Sequence, residues 1–116
     1  MKTINELISI AENNDWKVSR TEYKEDGKAC YELETYSDMG QDFIATLWVE
    51  TGEGEAESLK KELDEYIEYY DPFDEAMLWV KDGHGVNGAP DDPRDIIQDM
   101  EDCRDMMKEL LEAWEK

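Results

Sequence analysis

The chain of 116 residues is the size of one domain, spanning 1–116, with room for a single core. Its 32 Asp and Glu against 12 Lys and Arg leave a formal charge of −20 at pH 7, a field that repels nucleic acid, anionic membranes and phosphorylated substrates and attracts basic protein surfaces. A hydrophobic share of 40% with four Trp and six Tyr excludes a disordered chain, and no apolar run approaches the roughly 20 residues of a membrane span.

Thr3 and Glu6 make the capping-box pattern at the head of a helix, with Ile4, Leu7, Ile8 and Ala11 on one face and Asn13-Asn14-Asp15 at its end. This opening lacks the apolar core and cleavage site of a signal peptide, so the expected location is the cytoplasm. Trp16, Val18 and Arg20 alternate with Lys17, Ser19 and Thr21 as a strand does. Asp26-Gly27 predicts a tight hairpin turn with positive φ at both central residues. A second strand follows at about Ala29 to Tyr36, then a turn at Ser37 to Gly40, then a third strand from Phe43 to Val49. Ile44 and Trp48 on its second face make that third strand the most buried candidate.

The stretch from Glu50 to Glu75 holds eleven acids and only two bases, Lys60 and Lys61. Leu59, Leu63, Tyr66, Ile67 and Tyr70 recur on one helical face, so the segment should fold and hold its carboxylates in a fixed array. Asp71-Pro72 reads as a cap followed by a fresh helix start, with Phe73, Ala76, Met77 and Val80 lining a short helix and Trp79 at its edge. Asp82 to Pro90 has three glycines and reads as a loop. Asp92-Pro93 repeats the cap, and a stripe of Ile96, Ile97, Met100, Cys103, Met107, Leu110, Leu111 and Trp114 marks a long last helix. The expected fold is α+β, a three-stranded antiparallel β-meander packed with an N-terminal helix and acidic C-terminal helices in the order αβββααα.

Enzyme chemistry finds little support in the residues. His84 is the single histidine, and Asp82 to Gly88 fails the calcium-loop pattern, so no metal or cofactor is expected. The glycines at 52, 54, 83, 85 and 88 lack the Lys-Ser/Thr of a phosphate loop. Cys30 and Cys103 stand apart and read as reduced, buried thiols.

The charge is uneven. Residues 1–49 hold ten acids and five bases, a net of −5, whereas residues 50–116 hold twenty-two acids and seven bases, a net of −15. Carboxylates four residues apart on a helix rise about 6 Å, comparable with the step between phosphates along a nucleic-acid strand. Glu57, Asp64, Glu65, Glu68 and Asp71 form one such row, and Asp95, Asp99, Asp102, Asp105 and Glu109 a second, both with few Lys partners. Asp74 and Glu75 extend the first, and Tyr69, off the apolar stripe, is the aromatic expected to stay exposed as an interface anchor. The candidate partner-binding set is Glu57, Asp64, Glu65, Glu68, Tyr69, Asp71, Asp74, Glu75, Asp95, Asp99 and Asp102. The expected partner is a basic nucleic-acid-binding protein, with no direct contact to nucleic acid and none to membrane. The alternative is a non-enzymatic interaction module or adaptor whose acidity serves solubility.

The opening Ile4–Ile8 and Asn13–Arg20, INELI followed by NNDWKVSR, and the acid-rich helical half resemble the small acidic anti-CRISPR proteins of phages and mobile elements, in particular the compact type II-A inhibitors of Cas9. The segment from Asp82 onward has no counterpart there, and no contact residue is carried over. The resemblance implies a DNA mimic that occupies the basic channel or PAM-reading site of a CRISPR effector.

Overall fold

The computed structural model describes residues 2–81 and 93–116. The expected loop from Asp82 to Pro90, with His84, lies outside them, as do the side chains of Trp79 and Val80. The element order is α1 (Ile4–Asn13), β1 (Lys17–Tyr23), β2 (Lys28–Tyr36), β3 (Asp42–Glu50), α2 (Glu55–Tyr69), α3 (Pro72–Lys81) and α4 (Pro93–Glu115). This is the α+β meander expected, with strand order β1-β2-β3 and both pairings antiparallel.

Local chemistry sets the ends of these elements. The Thr3 hydroxyl accepts from the Glu6 N–H while the Glu6 carboxylate accepts from the Thr3 N–H, a complete capping box. The chain leaves α1 through Asp15, which takes a left-handed φ of 68°. Its carbonyl accepts from the Thr35 hydroxyl at 3.0 Å, which fixes that bend against the sheet. The β1–β2 connection differs from the expected two-residue turn. Tyr23 pairs with Lys28, so the loop has four residues, a 3₁₀ turn over Lys24–Asp26 closed by Gly27 at φ 63°. Only the glycine needs positive φ, because the 3₁₀ turn has already reversed the chain.

Ala29, Tyr31, Leu33 and Thr35 of β2 and Ala45, Leu47 and Val49 of β3 are buried beneath the helices. The most buried strand is therefore central β2, not β3. The helices pack on one face of the sheet, and on the other Ile44 and Trp48 stay exposed. From the helical side, Leu7 and Ala11 of α1, Leu59, Leu63 and Ile67 of α2, and Met107, Leu110 and Trp114 of α4 complete one core. The Trp114 indole N–H donates to the Leu7 carbonyl at 2.9 Å, tying the end of α4 to α1.

Asp71 caps α3 as expected, its Oδ1 accepting from the N–H groups of Phe73 and Asp74. The apolar lining of α3 is narrower than expected. Ala76 is buried, but Phe73 and Met77 face outward with Leu78. Among the described residues no helix is long and apolar enough to cross a membrane.

Candidate functional site

Helix α2 is held at two places. Its apolar stripe carries Leu59 and Leu63 into full burial. At its N-terminus Glu55 is buried against the sheet, where Arg20 of β1 donates to it from Nε at 2.8 Å and from Nη2 at 3.0 Å. The Tyr31 hydroxyl donates to the same carboxylate, and the Arg20 guanidinium lies 5.9 Å from the Tyr31 ring centroid. Hydrogen bonding from Arg20 holds the Glu55 carboxyl below its usual range against the opposing effect of burial. Burial raises the Tyr31 hydroxyl. Periodicity along the chain does not reveal this anchor, since Arg20 and Glu55 lie 35 residues apart. The one sequence signal was a charged residue, Arg20, on the apolar phase of β1.

With α2 so fixed, Glu57, Asp64, Glu68 and Tyr69 are exposed, and Asp71 and Asp74 continue the exposed set onto α3. Lys60 pairs with Glu57 at 3.4 Å. Among the described residues no Lys or Arg pairs with Asp64, Glu65, Glu68 or Asp74. This first row stands largely as expected, except that Glu65 and Glu75 are half-buried and turn toward β3.

The second row does not form one surface. Asp95, Asp105 and Glu109 are exposed, but Asp99 is fully buried. Its Oδ1 accepts from the Met39 N–H at 3.3 Å, and its Oδ2 has no hydrogen-bond partner among the described residues. The reason is helical phase: Asp99 lies three residues after Ile96 and four before Cys103, both buried, so it falls within the apolar stripe. Asp102 is half-buried and accepts from the Gln98 amide at 3.2 Å. Its charge, foremost, raises the Asp38 carboxyl. Asp99 is thus withdrawn from the partner-binding set, and the array on α4 is broken in its middle.

A cleft of about 410 Å³ lies where α2 and α3 pass the free edge of β3. Its walls are Thr46, Leu47 and Trp48 of β3, Glu62, Glu65, Tyr66 and Tyr69 of α2, Tyr70, and Glu75 of α3. Tyr66 and Tyr70 stack with centroids 6.2 Å apart, and Tyr70 meets Phe43 edge to face at 5.9 Å. Tyr69 is 82% exposed and Trp48 51%. Burial, and then the charges of Asp74 and Asp71, push the Glu75 carboxyl up. Trp48 is the contributor that sequence reasoning missed. Its place opposite the apolar phase of β3 marked it as outward-facing only once the helices were known to cover one face of the sheet alone.

No family model, curated protein or solved structure matches this chain. The described residues hold no group of three or more His, Cys, Asp or Glu suited to a metal ion. Cys103 is buried, with its thiol pushed up to about 12, whereas Cys30, expected to be buried, is half-exposed on the outer face of the sheet. Neither is in a disulfide.

Proposed function

We propose that the protein is an acidic, non-enzymatic inhibitor that occupies the basic nucleic-acid-binding surface of a partner protein, imitating the charge of a nucleic-acid strand. The observation that carries this reading is the row of Glu57, Asp64 and Glu68, exposed along α2, which is itself immobilised from beneath, with Asp71 exposed just beyond its end. Stabilising an isolated helix would favour Lys at i+4 from these acids. Glu57 does have Lys61 at that distance and pairs with Lys60, but Asp64 is followed there by Glu68, Glu68 by Pro72 and Asp71 by Glu75. A fixed row of this kind can replace phosphates against lysines and arginines without first losing conformational entropy. The sequence resemblance makes a CRISPR effector such as Cas9 the first partner to try, in the cytoplasm of a bacterial host.

The test is displacement of labelled duplex DNA from the purified guide-loaded effector at two salt concentrations. The expected result is competitive displacement that weakens strongly between about 50 and 200 mM salt. Binding that leaves the DNA in place and ignores salt contradicts the reading. It would favour instead an interaction module docking through the exposed Tyr23, Ile44 and Trp48 of the outer sheet face.

A further inference from the structure

We infer that the cleft between α2, α3 and the edge of β3 is a receptor for an arginine side chain of the partner protein. This deepens the reading above, on which the basic character of the partner rests, and adds a specific seat to a general field. Two adjoining hollows share Trp48, and their difference points to the occupant. The smaller, of about 310 Å³, is lined by Lys28 and Lys61 as well as by Glu50 and Glu62, so it carries its own counter-charge. Among the described residues the larger is lined by three carboxylates, Glu62 (shared with the smaller hollow), Glu65 and Glu75, and by no Lys or Arg. A cation entering this region is therefore drawn to the larger cleft.

Its walls select among cations. Trp48, whose indole meets the Tyr23 ring at 5.4 Å, is 51% exposed, and Tyr69, also lining the cleft, is 82% exposed, where burial in the core would be the ordinary fate of such side chains. A guanidinium is planar and weakly hydrated, so it can lie on an indole or phenol face while its edge N–H groups donate to carboxylates. An ammonium is a compact, strongly hydrated charge and gains less from the rings. The carboxylates converge from two helices around a space too apolar and too open for a small ion, in keeping with the lack of a metal-binding group among the described residues. Charge, ring faces and shape agree on arginine.

The probes are three end-blocked tetrapeptides, of arginine, lysine and citrulline, titrated into the ¹⁵N-labelled full chain. Citrulline keeps the shape of arginine and removes its charge. The arginine peptide should shift the Trp48 indole N–H and the Tyr69 and Glu75 amides in a saturable way. The lysine peptide should bind roughly three- to tenfold more weakly and the citrulline peptide not measurably. Trp48→Ala and the pair Glu65→Gln, Glu75→Gln should each reduce arginine-peptide affinity about tenfold, while amide spectra report an intact fold. Equal binding of the arginine and lysine peptides, with shifts spread over Glu57, Asp64 and Glu68, overturns the arginine seat and leaves the general mimic standing. Arginine-selective shifts in the cleft, from a protein that fails to displace DNA from any basic partner, leave the seat standing and remove the mimic.

Discussion

The two ends of α2 put the same side chain to opposite uses. At the N-terminus Glu55 meets Arg20 and Tyr31, is buried, and has its carboxyl held below the usual range. Beyond the C-terminus Glu75, at the start of α3, has no Lys or Arg partner among the described residues, and its carboxyl is pushed up by burial and by Asp74 and Asp71. A carboxylate given a cation within the fold becomes an anchor. One left without a cation carries an unmet demand for it to the surface, available to a partner. The difference lies in what the sheet places opposite each glutamate, which no local feature of the helix records.

The contrast is broken most forcefully at the anchor. Glu55→Ala removes the acceptor of the Tyr31 hydroxyl and one of the two carboxylates that hold Arg20, the other being Glu22, and urea unfolding should show a loss of roughly 1–3 kcal/mol. Single replacements of Glu57, Asp64 or Glu68 by Gln or Asn should change stability by less than about 0.5 kcal/mol, in either direction. An anchor variant as stable as these surface variants would mean that α2 is held by its apolar stripe alone.

Acid sharpens the same contrast, with opposite signs at the two glutamates. The folded value of Glu55 is depressed, so its contribution is complete above the unfolded value of about 4.3 and is lost as pH falls through the folded one. The folded value of Glu75 is raised, so its ionisation opposes folding at neutral pH, and that penalty is gone once pH is below the unfolded value. Thermal melts should therefore show Glu55→Gln destabilised at pH 7 and converging on the parent below about pH 4. Glu75→Gln should melt slightly higher than the parent at pH 7 and converge on it by about pH 4, above the range in which Glu55→Gln converges. A Glu75→Gln variant less stable than the parent at pH 7 would show that Glu75 is satisfied within the fold.

A smaller effect separates the two thiols. Both should be counted by a thiol reagent in denaturant without reductant. In the native protein the half-exposed Cys30 should react first, and Cys103, buried and pushed up to about 12, only as the chain opens. Equal native rates would place Cys103 nearer the surface than its packing allows.

Those parts of the molecule written in neighbouring residues were legible in the sequence. The Thr3–Glu6 box, the Asp71 cap and the Leu59–Leu63–Ile67 stripe each depend on spacings of two to four residues, and all are present. What depends on how the sheet is paired and covered was not legible. The exposure of Trp48 follows from the helices covering only one face of the sheet, and the four-residue loop at Lys24–Gly27 follows from the register of Tyr23 with Lys28. Asp99 lies between these cases. Its burial was encoded in its spacing from Ile96 and Cys103, but a row of acids at similar spacing masked it. The cleft, assembled from a strand and two helices, has no signature in any one stretch.

Two charge-neutralised variants test the central claim most directly. One replaces Glu57, Glu65 and Glu68 by Gln and Asp64 and Asp71 by Asn, the last chosen because Asn still caps α3. The other replaces Glu6 and Glu12 by Gln and Asp15 by Asn, with Gln at position 6 keeping the capping box. Both are compared with the parent for displacement of duplex DNA from the basic partner, alongside their melting temperatures. The acidic-face variant should lose displacement while melting at or above the parent, since it sheds repelling charge, and the first-helix variant should displace nearly as well as the parent. Loss of displacement in the first-helix variant, with the acidic-face variant still active, would contradict the assignment of the binding face to α2 and α3.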